Sequence, residues 1–224
     1  MRIIFIANNI FIKEEMIDKL NIQQDDKIIL FGKYELNLYN KVIQLTNNIF
    51  LFLRGRSRNN EFKWQNYFKQ HKGQFKKIYF VSNHLNKSVQ ENINKTIINE
   101  KSPINEKPTS EIIFKEDLYN KCFDKEFNNE EPTTGLIALE YFINKKENNN
   151  IILLGFTQEK RHGDSLWSGH NGNLEKEIIN NLVKEKKITK FYCTKIKIDN
   201  ILPNIKLKKV ERLKLEYTLI CGNE

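Results

Sequence analysis

One histidine has a sequence context that suits proton transfer. His170 lies in the run Ser168-Gly169-His170-Asn171-Gly172, directly before a predicted amphipathic helix. A histidine in such a flexible polar loop is poorly suited to filling a core, and its ordinary pKa of about 6.5 lets it accept a proton from a hydroxyl group at neutral pH. A surface histidine without a function is the alternative that these residues leave open. In the same loop, His162 beside Arg161 is a second candidate.

Acidic residues follow this histidine in the predicted helix. Glu175 and Glu177 can orient the His170 ring or stabilise its protonated form. Acidic side chains in a first helical turn also simply complement the helix dipole. The sequence alone does not choose between these two roles.

A second group of residues suits anion binding. Thr133, Thr134 and Gly135 stand at the predicted start of an apolar helix. Hydroxyl groups, free backbone amides and the positive end of the helix dipole together can hold a phosphate or a carboxylate. Helix capping by a threonine explains the same tripeptide, and both interpretations stay open at this point.

Alternating strands and helices are predicted to position these residues. Continuous apolar runs predict buried strands at 3–7, 27–31, 48–53, 77–81, 111–114, 151–155 and 188–193. Helical spacing predicts helices at 12–20, 62–68, 115–123, 136–143 and 174–183. Strict alternation of apolar and polar residues at 213–219 indicates a half-buried strand at an antiparallel edge. This order favours an α/β, Rossmann-like fold with a mostly parallel sheet flanked by helices.

In such a sheet, ligands bind beyond the carboxyl ends of the strands. The residues that follow the predicted strands are mostly polar and suit a nucleotide: Asn8, Asn9, Gly32, Arg54, Gly155, Phe156 and Thr157. Among them, Arg54 is expected to meet a carboxylate or a phosphate. No Gly-x-Gly-x-x-Gly follows the first strand, and no P-loop or Gly-x-Ser-x-Gly motif occurs. Ordinary dinucleotide binding, P-loop chemistry and serine hydrolysis are therefore disfavoured.

The length of 224 residues fits one domain spanning 1–224. Its stretch 83–110 is polar and contains Pro103 and Pro108, which predicts a mobile loop that can serve as a lid. Cys122, Cys193 and Cys221 are widely spaced and are expected to be free thiols rather than a disulfide framework or a zinc site.

The formal net charge of +9 favours anionic partners, whether nucleic acid, nucleotide sugars or an acidic membrane surface. Apolar runs fall short of the roughly 18 residues that a spanning helix needs. The first residues resemble a strand more than a signal peptide. We therefore expect a cytoplasmic protein, and leave open a peripheral association with the inner membrane and a homo-oligomer.

The order of these motifs resembles the bacterial sialyltransferases of glycosyltransferase family 42, which are related to family 29. The likeness covers 132–193. This stretch contains, in order, Thr-Thr-Gly, an apolar helix, a strand ending in Leu-Gly, a long loop, Gly-His-Asn, an acidic helix and a strand with Phe-Tyr-Cys. The family has Thr-Ser-Gly, Ser-Gly and Gly-His-Ser at the corresponding points. Asn8 falls where the family has an asparagine after its first strand.

The resemblance implies a glycosyltransferase-A-variant fold with a small lid and a metal-independent, inverting transfer without a cofactor. A CMP-activated acidic sugar, sialic acid, would be moved to a glycan acceptor in lipopolysaccharide or capsule biosynthesis. His170 would be the general base, Thr133, Thr134 and Gly135 would contact the donor, and Asn8 would help to hold the nucleotide.

The chain also departs from the family pattern. The family places tyrosines around the leaving phosphate in the loop after its Ser-Gly strand, whereas 156–167 contains none. Thr157, Arg161, His162 or Ser165 would have to stabilise that phosphate instead. Three alternatives follow: a CMP-Kdo transferase, a catalytically inactive relative that assists glycan assembly, and a basic nucleic-acid-binding module.

Overall fold

A sheet of eight strands organises the part of the chain that the structure, a computed structural model, describes. The described residues are 1–8, 12–32, 34, 36–54, 75–82, 109–114, 132–145, 150–156, 171–188, 190–196 and 217–221. The strands are β1 (Arg2–Ile6), β2 (Lys27–Phe31), β3 (Ile49–Arg54), β4 (Lys77–Ser82), β5 (Thr109–Phe114), β6 (Asn150–Leu154), β7 (Lys190–Ile196) and β8 (Tyr217–Cys221). The helices in this part are α1 (Glu14–Lys19), α2 (Leu36–Ile43), α3 (Thr134–Asn144) and α4 (Gly172–Lys184).

The strand order is β5-β4-β3-β2-β1-β6-β7-β8. Neighbouring strands from β5 to β7 are parallel, and β8 pairs antiparallel with β7 at one edge. The chain therefore builds outward from β1 to β5 and then returns to the other side of β1 to add β6. This reversal makes the β1–β6 boundary the topological switch point of the sheet, where α/β folds form a ligand-binding crevice.

Apolar layers cover both faces of the sheet. Ile3 and Phe5 of β1 belong to the core layer that contains α3 and α4, whereas Ile4 and Ile6 belong to the layer that contains α1 and α2. Successive side chains of a strand point to opposite faces, so a strand buried on both sides has to be apolar throughout. This explains why uninterrupted apolar runs mark the strands of this chain.

These features confirm the predicted α/β class with a mostly parallel sheet flanked by helices. The prediction missed helix α2, although Leu38, Tyr39 and Val42 lie on one apolar face at helical spacing. Residues 109 and 110, assigned to the lid, belong to strand β5. The rest of the predicted lid, the predicted helices at 62–68 and 115–123, and 213–216 of the predicted edge strand lie outside the described residues.

A search of the described helices for a membrane span found none that is both long and apolar enough to cross a bilayer.

Candidate functional site

The candidate site lies at the switch point, where β1 and β6 end side by side. The amide of Ala7 donates to the carbonyl oxygen of Leu154 at 3.0 Å, so the pairing of the two strands continues one residue past β1. Asn8 comes next along the chain after β1, and Gly155 and Phe156 come directly after β6. Three of the predicted site residues are therefore carried by the two strands that border the crevice.

The turn after β6 directs an aromatic ring into the core. Gly155 has a φ of 79°, a left-handed conformation that favours glycine. Phe156 is buried and packs its ring against Phe5, with the two ring centroids 6.5 Å apart, and against Phe31 at 5.9 Å. The ring of Phe156, which was predicted to contact substrate, thus packs into the end of the core.

Thr133 caps the helix that begins at this edge of the sheet. It has extended backbone angles, φ −65° and ψ 157°, and its hydroxyl oxygen accepts a hydrogen bond from the amide of Leu136 at 3.3 Å. Its carbonyl oxygen accepts from the amide of Ile137 at 3.1 Å. The amides of Thr134 and Gly135 have no acceptor among the described residues, so the first turn of α3 retains two hydrogen-bond donors at the positive end of its dipole.

Gly135 connects this helix end to the strand end. A Cβ atom placed on Gly135 would lie 2.7 Å from Cε1 of Phe156, closer than real side chains approach one another. Only a glycine at this position lets the helix approach the Phe156 ring at this distance. The contact therefore brings the first turn of α3 to the carboxyl end of β6.

We expect Gly135→Ala to destabilise the fold, and Gly32→Ala to serve as its matched control. Overpacking costs typically about 1–3 kcal/mol, and the better helix propensity of alanine offsets at most about 1 kcal/mol. A net loss of about 1–2 kcal/mol in the free energy of unfolding follows for G135A. Gly32 is half-buried, yet a Cβ atom there would meet nothing within 4 Å, so G32A should stay within about 0.5 kcal/mol of the wild type.

Urea denaturation of both variants measures this difference. Truncating the ring in the double variant G135A/F156L should remove the clash, so its loss of stability should be smaller than the sum of the two single losses. Additive losses would show that the Gly135–Phe156 contact is not the cause.

A buried carboxylate joins the starts of helices α3 and α4. Glu175 is fully buried, with 0% of its surface exposed, and lies in the first turn of α4. Its Oε1 accepts a hydrogen bond from the amide of Thr133 at 2.5 Å, and its Oε2 accepts from the Thr133 hydroxyl at 2.8 Å. Glu175 was predicted from sequence to act on His170, and its bonds to Thr133, 42 positions away, were not anticipated.

The residue after His170 is held by the same helix start. Asn171 is the N-cap of α4, and its side-chain oxygen accepts a hydrogen bond from the amide of Leu174 at 3.0 Å. Its carbonyl oxygen accepts from the amide of Glu175 at 3.0 Å. Glu175 thus links Thr133, in the Thr-Thr-Gly motif, to Asn171, the last residue of the Gly-His-Asn motif.

Asn8 contributes a hydrogen-bond acceptor without a partner. Its side-chain oxygen is shielded from solvent and accepts no hydrogen bond from the described residues. Leaving such a group unsatisfied costs about 1–3 kcal/mol. A ligand that donates a hydrogen bond to this oxygen would recover that cost, provided that a movement of the surrounding residues first exposes it.

The other predicted site residues fall into two groups. Gly32 lies at the end of β2, where its amide donates to the carbonyl oxygen of Phe52 at 3.0 Å, and Arg54 is the last residue of β3. The remaining ones lie outside the described residues: Asn9, Thr157, Arg161, His162 and His170.

Within the described ranges, no three His, Cys, Asp or Glu side chains are grouped so that they could hold a metal ion.

Comparison of the chain with protein-family models, with curated proteins and with solved structures gives no match. The geometry of this edge of the sheet and the resemblance of its motifs therefore carry the functional assignment.

Proposed function

We propose that this protein is an inverting, metal-independent glycosyltransferase that moves an acidic sugar from a CMP-activated donor to a hydroxyl group of a glycan acceptor. The observation that carries the proposal is the first turn of α3, which retains two hydrogen-bond donors and lies against the end of β6 at the switch point. The glycosyltransferase-A-variant form of the fold and a lid from 83–110 are part of this proposal.

The donor phosphate would bind at the first turn of α3. The amides of Thr134 and Gly135 have no described acceptor, and the helix dipole adds a partial positive charge, part of which the Glu175 carboxylate at Thr133 offsets. A phosphate oxygen accepts hydrogen bonds and carries the negative charge that this end of a helix attracts. The net charge of +9 would further draw a nucleotide sugar toward the protein.

The nucleoside would bind beside β1. The shielded oxygen of Asn8 requires a hydrogen-bond donor, and both the ribose hydroxyl groups and the cytosine amino group are donors. A site with amide donors at one point and an amide acceptor at another complements a nucleotide better than a simple anion such as phosphate alone.

The reaction would need a base for the acceptor hydroxyl, and His170 would supply it. The acceptor oxygen loses its proton to the imidazole and forms a bond to the anomeric carbon, while the bond from that carbon to the phosphate oxygen breaks and CMP leaves with the electron pair. Thr157, Arg161, His162 or Ser165 would stabilise the charge that develops on the leaving phosphate, and Arg54 would meet a carboxylate or a phosphate.

A thermal-shift screen against CMP, UDP, GDP and their sugars tests the proposal. A ligand present at 100 times its dissociation constant stabilises a protein by about 2.7 kcal/mol, which corresponds to a rise in Tm of roughly 5–10 °C for a chain of this size. We expect this rise with CMP and CMP-linked sugars, and none with UDP or GDP.

The other outcomes identify the alternatives. A shift with CMP-Kdo but not with CMP-sialic acid would replace the donor sugar and keep the mechanism. An absence of any nucleotide shift would overturn the proposal, and salt-sensitive binding to RNA or DNA in the same preparation would favour a nucleic-acid-binding module.

A further inference from the structure

Joining two helices through the buried carboxylate of Glu175 costs free energy, because the carboxylate loses its hydration. Its bonding oxygens are removed from water, and a buried carboxylate is stable only where hydrogen bonds replace the lost hydration. Thr133 supplies two such bonds, one from its amide and one from its hydroxyl. An apolar side chain of similar volume would fill the same space without this desolvation cost.

Unlike an apolar side chain, the carboxylate can fix the position of α4 relative to the start of α3. Two directed hydrogen bonds to one residue restrict both the distance and the rotation of α4 relative to the N-cap of α3. Apolar packing alone fixes the two helix starts less narrowly than two directed hydrogen bonds do. Glu175 therefore sets where Asn171 stands relative to the amides of Thr134 and Gly135.

We propose that Glu175 is a positioning residue for the transfer reaction. It holds the N-cap Asn171, and with it the chain that enters α4 directly after His170, at a set position relative to the amides of the first turn of α3. This inference rests on the proposed function, because it assigns the general base to the residue before Asn171 and the phosphate site to the first turn of α3. Misplacing a reacting group by about 1 Å costs on the order of 10²-fold in rate.

Two substitutions at this position separate positioning from folding. Glu175→Met keeps the apolar part and the volume of the side chain but removes both acceptors. Glu175→Gln keeps one acceptor for the Thr133 amide and replaces the other with an NH₂ group that can donate to the Thr133 hydroxyl oxygen. Glu185→Gln, at an exposed glutamate that forms the C-cap of α4, is the matched control.

We expect E175M to keep the Tm within a few degrees and to bind CMP at least as tightly as the wild type, because a buried negative charge beside the phosphate site is gone. Its kcat should fall by about 10²-fold. E175Q should recover most of kcat, because both hydrogen bonds to Thr133 can form again. E185Q should match the wild type in all three measurements. Hydrogen exchange at the Thr133 amide should be faster in E175M than in E175Q, because only E175M lacks an acceptor for it.

The outcomes distinguish this inference from the proposed function. If the wild type binds CMP and needs His170 for transfer, but E175M retains its kcat, the positioning role is wrong and the proposed function stands. If E175M loses CMP affinity and kcat together, Glu175 supports the phosphate site rather than the position of Asn171, and the inference is again wrong. If the wild type binds no nucleotide, the proposed function fails first and the positioning role fails with it.

Discussion

Replacement of His170 with alanine should lower kcat for sugar transfer by about 10²–10⁴-fold, the usual contribution of a positioned general base. The acceptor hydroxyl is a weak nucleophile until a base removes its proton, and alanine offers no site for that proton. Affinity for CMP should remain near the wild-type value, because the proposed phosphate and nucleoside contacts come from the first turn of α3 and from Asn8. Initial rates with a CMP-linked donor and calorimetric titration with CMP measure the two quantities separately.

His71→Ala is the control for this experiment, because the sequence around His71 gives it no site context. It should keep both kcat and CMP affinity. If H170A retains the wild-type rate in a preparation that binds CMP, His170 is not the base. His162→Ala would then be the next variant to measure, since His162 lies in the same predicted loop.

The second large effect concerns stability. Asp26→Ala should lower the free energy of unfolding by about 3 kcal/mol, at the lower end of the range for breaking a buried ion pair. Asp26 is buried and accepts hydrogen bonds from the amide of Arg2 at 3.0 Å, from Arg2 Nε at 3.1 Å and from the amide of Gln23 at 2.8 Å. We expect the loss of stability at the lower end of this range because Arg2 keeps two partners in D26A: its guanidinium also donates to the carbonyl oxygens of Leu20 and Asn21.

This ion pair also predicts how stability changes with pH. Burial raises the pKa of Asp26, but the hydrogen bonds from Arg2 and Gln23 and the charge of Arg2 lower it by more, so the net direction is downward. The contribution of Asp26 is therefore complete above the unfolded pKa of an aspartate, about 3.9, and is lost as the pH falls through the lower folded value.

Urea denaturation from pH 7 down to pH 3 measures both effects. The wild type should lose more stability than D26A over the acidic part of this range, so that the two stabilities converge. Asp25→Ala is the control, because Asp25 is 67% exposed at the side chain and, among the described residues, forms an ion pair only with the N-terminal ammonium group, at 3.4 Å. It should change stability by less than about 1 kcal/mol. Parallel pH dependence in the wild type and D26A would contradict the assignment.

Local patterns were sufficient to predict several parts of the candidate site. Thr133 was a capping candidate from its residue type, and it is the N-cap of α3. The strand ends that carry Asn8, Gly32 and Gly155 followed from apolar runs of four or five residues. Capping and strand burial depend on residues close together in the chain, so sequence patterns report them directly.

The partner of Glu175 could not be predicted in this way. Its first-turn position in α4 suggested a dipole role or an action on His170, whereas its carboxylate binds Thr133, 42 positions earlier. A contact of this kind depends on how two helices pack at one edge of the sheet, and no pattern near either residue encodes it. The same holds for Gly135, whose contact with the Phe156 ring depends on how α3 packs against the end of β6.

The amino-acid sequence by itself determined that the chain forms alternating buried strands and helices in an α/β fold, because short apolar runs bounded by polar residues suit strands covered on both faces and alternate with segments of helical spacing. The tertiary structure alone decided which strand ends meet. The order β2-β1-β6 makes the ends of β1 and β6 neighbours, although Ile6 and Leu154 are 148 positions apart in the chain. Their adjacency depends on the summed packing of the whole sheet, and it brings Asn8, Phe156 and the first turn of α3 to one edge.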